Sequence, residues 1–449
     1  MNGFDDTITA IATPPGVGAI AIVRVSGSQT RALARRLFRS RQPLRERYAA
    51  YGEIVDERGE TIDRGVAILS IAPHSYTGED TLELQVHGSP VIAAEVVRAL
   101  IACGARAAGP GEFTRRAFAH GKLDLHSAGA VADIISAQSR SAARAALANL
   151  GGGLANEVRA LRATLAALLE ELAASLDFPD EVPDPDRARV AGTLNELASA
   201  LERLRRDGEV GRLVREGVSV AIVGPPNAGK SSLLNALLGE ERALVSEIAG
   251  TTRDTIEESV AIDGVRVRLV DTAGIRTHAD RLEAAGIERT ARALESARIA
   301  LIVLDGSQPA TPEAQALLGR TRNRDRIVFF NKADLGRAGA AAALPDAIVG
   351  SARDSQTLIA VRAAIAKIGW GGNAPDLERP HLASAREFDA VNQALNAVER
   401  ARATLAAGDA IDFIAAELQR AHAALGHVSG DIATEELLDG IFARFCIGK

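Results

Sequence analysis

A glycine-rich segment in the middle of the chain has the composition of a phosphate-binding loop. Residues 224–231 read GPPNAGKS and match the pattern G-x-x-x-x-G-K-[ST], between a predicted strand at 218–223 and a predicted helix at 232–238. Glycines let backbone N–H groups turn inward around phosphate oxygens, the Lys230 ammonium suits the β- and γ-phosphates, and the Ser231 hydroxyl suits Mg²⁺. The pattern predicts a nucleoside triphosphate site that comprises Asn227, Ala228, Gly229, Lys230, Ser231 and Ser232, with Lys230 also a catalytic residue.

Two further segments could complete the phosphate side of this site. The sequence DTAG follows the strand predicted at 265–270, so that its carboxylate can hold the Mg²⁺ shell and its glycine N–H can meet the γ-phosphate. The segment 250–254 contains Thr252, a candidate second Mg²⁺ ligand, and we expect this loop to order only around a γ-phosphate, as a switch does. The predicted GTP-binding residues here are Ser246, Glu247, Ile248, Ala249, Gly250, Thr251, Thr252, Asp271, Thr272, Ala273 and Gly274.

Two short segments near residues 331 and 351 are predicted to select the base of the nucleotide. The sequence NKAD follows a strand predicted at 327–330, and its Asp334 carboxylate can accept two N–H bonds from guanine, whereas adenine lacks this donor pair. Lys332 can lie over the base, and a backbone N–H of the sequence SAR after the fifth strand can meet guanine O6. The sequence therefore predicts a GTP site that includes Asn331, Lys332, Ala333, Asp334, Ser351, Ala352 and Arg353.

The group that activates water must differ from the one in Ras-like GTPases, where a glutamine orients the attacking water. Ile275 stands at that position and cannot polarise water. Glu283, twelve residues after Asp271, could act through a bridging water; the alternative is an exposed helix glutamate. The side-chain oxygen of Asn227 and the backbone of 246–251 could form an oxygen cage for a monovalent cation; the alternative is an asparagine that only holds the loop geometry.

The elements around these motifs predict a multidomain fold. Short Val-, Ile- and Leu-rich strands alternate with helices, which indicates a parallel sheet, and Asp263-Gly264 predicts a hairpin that makes one strand antiparallel. These strands are expected at 218–223, 265–270, 299–304, 327–330 and 347–349. An α+β module precedes them, with strands at 19–25, 65–71 and 81–86 and helices near 28–38 and 91–102.

Helical sequence lies on both sides of the α/β region. Leucines at 161, 165, 168, 169 and 172 follow helical spacing, the proline-rich stretch 177–186 predicts a loop, a second helix is expected over 187–207, and helix returns after residue 375 to about 442. The simplest architecture is a discontinuous helical domain with an inserted Ras-like P-loop domain. The predicted domains are 1–120, 121–215, 216–375 and 376–449, so that the fold class is multidomain α/β plus α.

The composition limits the classes of protein and the cellular compartment that are compatible with this sequence. The formal net charge of −6 excludes a polycation, the two cysteines cannot make a disulfide framework, and no run of 18 apolar residues predicts a membrane span, so we expect a cytoplasmic protein. The first 48 residues nevertheless hold eight arginines against three carboxylates. A solvated helix face is the favoured interpretation, and an RNA-facing patch is the alternative. Lysine is rare, with five against 47 arginines, and four of the five lie in proposed sites.

Motifs outside the nucleotide site resemble those of the MnmE (TrmE) family of tRNA modification GTPases. The similar segments are ATPPGVGAIAIVRVSGS (12–28), SYTGEDTLELQVHG (75–88), GPGEFTRRAFAHGKLDL (109–125), DFPDE (177–181), LEAAGIER (282–289) and FCIGK (445–449). The chain departs mildly at 120–121, at Pro225 and at Ser246, without loss of a proposed ligand atom. The resemblance covers essentially the whole chain.

The resemblance implies an N-terminal folate-binding module that forms a homodimer, and a heterotetramer with the FAD-binding partner MnmG (GidA). Together they would add an aminomethyl or carboxymethylaminomethyl group to carbon 5 of a tRNA wobble uridine. A 5-formyltetrahydrofolate-type ligand would meet Arg24, Glu83, Lys122 and Lys449. K⁺ would meet Asn227, Ser246, Ile248 and Thr251, and Mg²⁺ would meet Ser231 and Thr252. Glu283 would be the general base, activated by K⁺-dependent pairing of two GTPase domains.

Two other functions compete with this one. A ribosome-assembly GTPase of the Era or EngA type would need an RNA-binding module after the GTPase domain, and the acidic, alanine-rich helical sequence found there disfavours it. A folate enzyme regulated by GTP would need a one-carbon catalytic constellation, and residues 1–120 carry no convincing one.

Overall fold

The computed structural model describes residues 5–137, 139–239, 258–262, 265–270, 291–336, 344, 346–370, 379–408, 410–430 and 434–449. The chain divides into two compact units. One unit comprises Met1–Ala132, Leu150–Ala198 and Asp389–Lys449, and the other comprises Asp133–Asn149 and Ser199–Phe388.

The elements are numbered in chain order. The strands are β1 (Thr7–Ile11), β2 (Ile20–Gly27), β3 (Phe38–Arg39), β4 (Ala49–Val55), β5 (Thr61–Ser70), β6 (Thr81–His87), β7 (Arg106–Ala107), β8 (Val218–Val223), β9 (Glu258–Ile262), β10 (Val265–Val270), β11 (Ile299–Asp305), β12 (Arg326–Asn331) and β13 (Ile348–Val349). The helices are α1 (Thr30–Leu37), α2 (Pro90–Ala102), α3 (Glu112–Ala119), α4 (Leu125–Ser136), α5 (Arg140–Leu150), α6 (Gly153–Asp177), α7 (Arg187–Glu216), α8 (Lys230–Gly239), α9 (Pro312–Arg320), α10 (Ser355–Gly369), α11 (Ala385–Ala407), α12 (Ile411–Ser429) and α13 (Glu435–Phe442).

The first unit contains a seven-stranded sheet in the order β3-β4-β5-β6-β2-β1-β7. The short β7 runs parallel to β1, and the other neighbours are antiparallel. Alternating side chains such as Val23 and Val25 are buried against α1 and α2, which contribute Leu33 and Leu100 to the same core. The predicted α+β module is confirmed, with both of its predicted helices.

Long helices complete the first unit. Leu165, Leu168 and Leu172 of α6 are buried, as their helical spacing predicts, and α6 packs against α12. The proline-rich stretch lies between the end of α6 at Asp177 and the start of α7 at Arg187, so the predicted loop is confirmed. Among the helices that the structure describes, none is long and apolar enough to cross a membrane.

The second unit contains a six-stranded sheet in the order β13-β12-β11-β8-β10-β9. Its neighbours are parallel except β9 and β10, which pair antiparallel with Ile262 opposite Val265. The predicted hairpin turn at 263–264 lies outside the described residues. Apolar clusters cover both faces of this sheet, as buried parallel strands require. The predicted multidomain α/β plus α fold class is confirmed, while the exact domain boundaries stay predictions.

Candidate functional site

The phosphate-binding loop joins β8 to α8 along a path that needs glycine at both ends. An added Cβ on Gly224 would lie 2.1 Å from the Val303 carbonyl oxygen, and one on Gly229 would lie 2.1 Å from Asn331 Nδ2. Gly229 also has a φ of +96°, and Asn227 has a left-handed φ of 61°. The two glycines of the motif are therefore required by close approach to neighbouring strands as well as by the turn itself.

Lys230 is held against its own loop. Its Nζ donates to the carbonyl oxygens of Gly224 at 2.9 Å and Pro225 at 2.7 Å. Burial lowers the pKa of Lys230. Both partners are neutral carbonyl groups, so the positive charge is available to an anionic ligand.

The first turn of α8 adds backbone donors beside this lysine. Ser231 is half-buried and Ser232 exposed in this turn, where amide N–H groups have no intrahelical acceptor and the helix dipole favours an anion. The Ser231 hydroxyl is an oxygen ligand of the kind that Mg²⁺ prefers. The described part of this site therefore fits a magnesium-bound phosphate.

Asn331 connects the phosphate-binding loop to the predicted base-binding segment. It is 3% exposed at the end of β12. Its Nδ2 donates to the Ala228 carbonyl oxygen at 2.9 Å, and its Oδ1 accepts the Ala352 N–H at 2.8 Å. One buried side chain thus fixes two loops that the sequence motifs place more than a hundred residues apart.

Lys332 is oriented by a carboxylate that sequence reasoning did not identify. Its Nζ donates to Asp305 Oδ2 at 2.7 Å, and the Ser307 hydroxyl donates to Asp305 Oδ1 at 2.6 Å. Burial would raise the pKa of Asp305, but the bonds from Lys332 and Ser307 outweigh this effect and lower it. Asp305 is the last residue of β11, at the carboxyl edge of the sheet. A carboxylate at the end of a predicted parallel strand is a candidate site residue, and this position in the sequence could have identified Asp305.

The predicted guanine segments lie side by side. Ala333 N–H donates to the Gly350 carbonyl oxygen at 3.0 Å, which joins the NKAD segment to the residue before Ser351. Asp334 is exposed in a 3₁₀ turn, so its carboxylate is accessible to a base. The Arg353 N–H donates to the Ser351 hydroxyl at 3.3 Å. The structure thus brings together the described residues of the predicted GTP site.

The remaining predicted nucleotide residues lie outside the described part of the chain. They are Ser246, Glu247, Ile248, Ala249, Gly250, Thr251, Thr252, Asp271, Thr272, Ala273, Gly274 and Glu283. Their roles in binding Mg²⁺, K⁺ and water stay predictions. Within the described ranges, no group of three His, Cys, Asp or Glu residues could hold a metal ion.

A second cluster lies on the sheet of the first unit, around Arg24. Arg24 on β2 faces its register partner Glu83 on β6, and its Nε and Nη2 donate to Glu83 Oε1 at 3.0 and 2.8 Å. Its Nη1 donates to the Gly448 carbonyl oxygen at 3.2 Å. The guanidinium carbon also lies 5.7 Å from the ring centroids of both Tyr76 and Phe113. The guanidinium of Arg24 is therefore fixed in orientation.

The last residues of the sequence pack into the same cluster. Ile447 forms an antiparallel bridge with Pro110, and the Phe113 N–H donates to the Lys449 backbone oxygen at 3.2 Å. Burial, and then the charge of Arg24, lower the pKa of Lys449. Lys122 is exposed, and its Nζ donates to the Pro73 carbonyl oxygen at 3.1 Å. Of the four predicted folate residues, the structure brings Arg24, Glu83 and Lys449 together. The role of all four, Lys122 included, in binding folate stays a prediction.

Comparison with known proteins indicates the family to which this chain is similar. A family model described as GTP-binding protein TrmE N-terminus matches residues 7–122, and one described as MnmE helical domain matches residues 125–446. A protein of Chloroflexus aurantiacus named tRNA modification GTPase MnmE is 45% identical over 99% of this chain and 100% of its own length. Proteins of the same name from Laribacter hongkongensis and Aquifex aeolicus are each 42% identical and are covered over 100% of their lengths, with 100% and 99% of this chain aligned.

These matches span both units and agree with the motifs on which the resemblance rested. The identity is well above the level at which only a fold would be shared, and the alignments cover almost the whole chain. The chain belongs to the MnmE family of tRNA modification GTPases.

Proposed function

We propose that this chain hydrolyses GTP and, with an FAD-binding partner of the MnmG (GidA) type, installs an aminomethyl or carboxymethylaminomethyl group at carbon 5 of a tRNA wobble uridine. The observation that carries the GTPase part is the buried Asn331, whose side chain bonds both Ala228 of the phosphate-binding loop and Ala352 of the base-binding segment. The relatives named tRNA modification GTPase support the tRNA part.

The GTP site as proposed uses Mg²⁺ and K⁺. Ser231 and Thr252 would hold Mg²⁺, which neutralises phosphate charge when bound. Asn227, Ser246, Ile248 and Thr251 would hold K⁺, with the exposed Asn227 supplying a side-chain oxygen. Lys230 binds phosphate oxygens, and Glu283 would accept a proton from the attacking water. K⁺-dependent pairing of two GTPase domains would place these groups for hydrolysis.

The Arg24 cluster is proposed to bind a 5-formyltetrahydrofolate-type ligand through Arg24, Glu83, Lys122 and Lys449. A guanidinium held by Glu83 and two aromatic rings is pre-organised to meet a polar ring system. Folate also carries an acidic glutamate tail, for which Lys122 and Lys449 are chemically suited partners.

The partners proposed for this chain are a second copy of itself, the FAD-binding protein in a heterotetramer, and tRNA, in the cytoplasm. Exposed apolar side chains support a homodimer through the N-terminal module. Val17, Ile20 and Val91 are exposed beside the point where Gly18 N–H donates to the Gly88 carbonyl oxygen at 2.9 Å. Apolar groups gathered at a surface favour burial against another protein.

GTP hydrolysis in K⁺ and in Na⁺ at matched ionic strength tests the nucleotide part. We expect a sharp fall in Na⁺, because Na⁺ prefers shorter oxygen distances than a K⁺ cage provides. Glu283→Ala should slow hydrolysis by about a hundredfold or more at nearly unchanged nucleotide affinity. Glu295→Ala, which removes an exposed glutamate, is the matched control. Equal rates in both salts would contradict the cation site.

Nucleoside analysis of tRNA from a deletion strain tests the modification part. We expect wobble uridines that lack the carbon 5 substituent, and restoration by the wild-type gene. Intact wobble uridines together with defective ribosomal subunits would favour the ribosome-assembly alternative instead.

A further inference from the structure

Arginines gather at the β3 edge of the seven-stranded sheet. Seven of them lie between residues 30 and 48, where Glu46 supplies the opposing charge. Helix α1 leads directly into β3, the following loop leads into β4, and β3 pairs with β4 at the end of the sheet order. This part of the chain therefore concentrates positive charge on one edge, in a protein whose net charge is −6.

Three of these arginines are engaged within the protein. Arg31 pairs with both carboxylate oxygens of Asp80, at 2.5 and 3.1 Å. Arg39 donates to the Gly59 carbonyl oxygen at 3.2 Å, and Arg47 donates to the His74 carbonyl oxygen at 2.7 Å. These contacts hold the helix and the loop on the sheet, so the backbone that carries the other arginines is fixed.

The other four, Arg35, Arg36, Arg41 and Arg45, are exposed. Within the described ranges, no carboxylate lies within 4.0 Å of their guanidinium nitrogens. The buried face of α1 is formed by Leu33, Ala34 and Leu37, which orders the helix without the arginines. The four positive charges are thus exposed to solvent on an ordered backbone. A contribution to fold stability does not explain why arginine occurs at these positions.

Two exposed tyrosines follow these arginines in the sequence, Tyr48 just before β4 and Tyr51 within it. Tyr48 is 67% exposed and Tyr51 is 68% exposed, and the whole chain has three tyrosines. Tyr51 precedes Gly52, where an added Cβ would lie 2.3 Å from the Arg39 carbonyl oxygen, so β4 is in close contact with β3 at this point. Aromatic rings beside arginines form the combination that stacks on bases and neutralises phosphates.

We propose that the β3-edge surface, defined as Arg35, Arg36, Arg41, Arg45, Tyr48 and Tyr51, binds RNA. The guanidinium groups contact backbone phosphates, and the tyrosine rings stack on unpaired bases. RNA is favoured over an acidic protein because four exposed guanidinium groups match a continuous phosphate backbone, and because the relatives are named for the modification of tRNA. This inference rests on the proposed function, since tRNA is the RNA that such a protein handles, and it assigns the surface on which the tRNA docks.

Equilibrium binding of the full chain to unmodified tRNA over a series of salt concentrations tests the proposal. Each phosphate contact contributes roughly 0.7 to 0.9 to the slope of log affinity against log salt. Arg35→Gln should lower the slope by about that amount, whereas Arg98→Gln, an exposed arginine on α2 of the same sheet module, should leave it unchanged. Replacing all four arginines with glutamine should lower the slope by about three and weaken binding at least about tenfold.

The tyrosines are tested separately from charge. Tyr48→Ala with Tyr51→Ala should weaken tRNA binding about fivefold or more without changing the salt slope, and phenylalanine at both positions should restore it. GTP hydrolysis, measured on the same samples, should stay at the wild-type rate, because none of these residues belongs to the nucleotide site.

Two results would overturn the proposal. One is that the four-arginine variant keeps the wild-type tRNA affinity and the wild-type slope of log affinity against log salt. If that variant instead loses affinity for the FAD-binding partner, the β3-edge surface binds an acidic protein rather than RNA. The other is an equal effect of Arg98→Gln. Wobble-nucleoside analysis distinguishes failure of this proposal from failure of the proposed function. If the four-arginine variant binds tRNA with unchanged affinity and still supports normal modification, only the RNA-binding role of the β3-edge surface is refuted. If the wild-type protein with its partner produces no modified uridine, only the proposed function is refuted.

Discussion

Removing the Asn331 side chain tests whether one amide holds the nucleotide site together. Asn331→Ala deletes both the bond to the Ala228 carbonyl oxygen, 2.9 Å, and the bond from the Ala352 N–H, 2.8 Å. Ala228 and Ala352 are themselves buried, so neither group gains ready access to water when its partner is lost. The variant therefore leaves one acceptor and one donor unsatisfied.

The expected cost follows from these two groups. A buried polar group without a partner costs about 1 to 3 kcal/mol, so two cost about 2 to 6 kcal/mol of local stability. Because 1.4 kcal/mol corresponds to a factor of ten, GTP affinity should fall about tenfold or more if at least about 1.4 kcal/mol of that cost is paid on binding. Asn331→Asp should be no better than alanine, because it keeps the acceptor for Ala352 but sets an oxygen against the Ala228 carbonyl.

Amide hydrogen exchange at Ala352, together with GTP affinity, provides the assay. The lower end of the expected range, about 2 kcal/mol, predicts roughly thirtyfold faster exchange of the Ala352 N–H in the alanine variant. Asn235→Ala removes an exposed asparagine from α8 and is the matched control, with both readouts expected to stay at wild-type values. Exchange and affinity within about threefold of wild type for Asn331→Ala would refute the bridging role, since that factor lies well below the cost of one unsatisfied group.

Three other predictions concern the two sites. Asp334→Asn should weaken GTP binding and favour xanthine nucleotides, because donor and acceptor are exchanged at the base edge; competition between GTP and XTP measures this. Asp305→Asn should lower GTP affinity about threefold to tenfold by weakening the anchor of Lys332, since charge-assisted bonds are the stronger ones. Because the folded-state pKa of Asp305 is lowered, this anchor is present above the ordinary aspartate pKa and lost as pH falls through the lowered value, so the wild-type advantage should vanish in acid. Deleting residues 446–449 should abolish tRNA modification and leave GTP hydrolysis nearly intact, whereas parallel loss of both activities would indicate a folding defect.

The parts of the fold that the sequence predicted well are those set by local chemistry. Buried parallel strands require apolar runs on both faces, so β8, β11 and β12 were visible as Val- and Ile-rich segments. The phosphate-binding loop was visible because its glycines and lysine occupy fixed positions within a few residues of one another. In each case the signal and the structure that it specifies lie in the same short segment.

The contacts that sequence reasoning missed join distant segments. Asp305 anchors Lys332 only because β11 and β12 are neighbours in register, with Asp305 opposite Asn331. Tyr76 and Phe113 flank Arg24 through three separate elements. A single sequence contains no spacing rule for such contacts, because they depend on how strands and loops meet in three dimensions.

The rarity of lysine is a feature of the whole sequence that points to individual contacts in the structure. In a chain that uses arginine almost everywhere, Lys230 places a compact ammonium between two loop carbonyls at 2.7 and 2.9 Å, and Lys332 places one against a single carboxylate oxygen at 2.7 Å. A planar guanidinium presents its donors in a rigid fork, whereas the ammonium is a compact point charge on a flexible stem. The scarcity of lysine in the whole chain thus marks both positions, and in the structure each ammonium makes short bonds of the kind that a compact point charge forms.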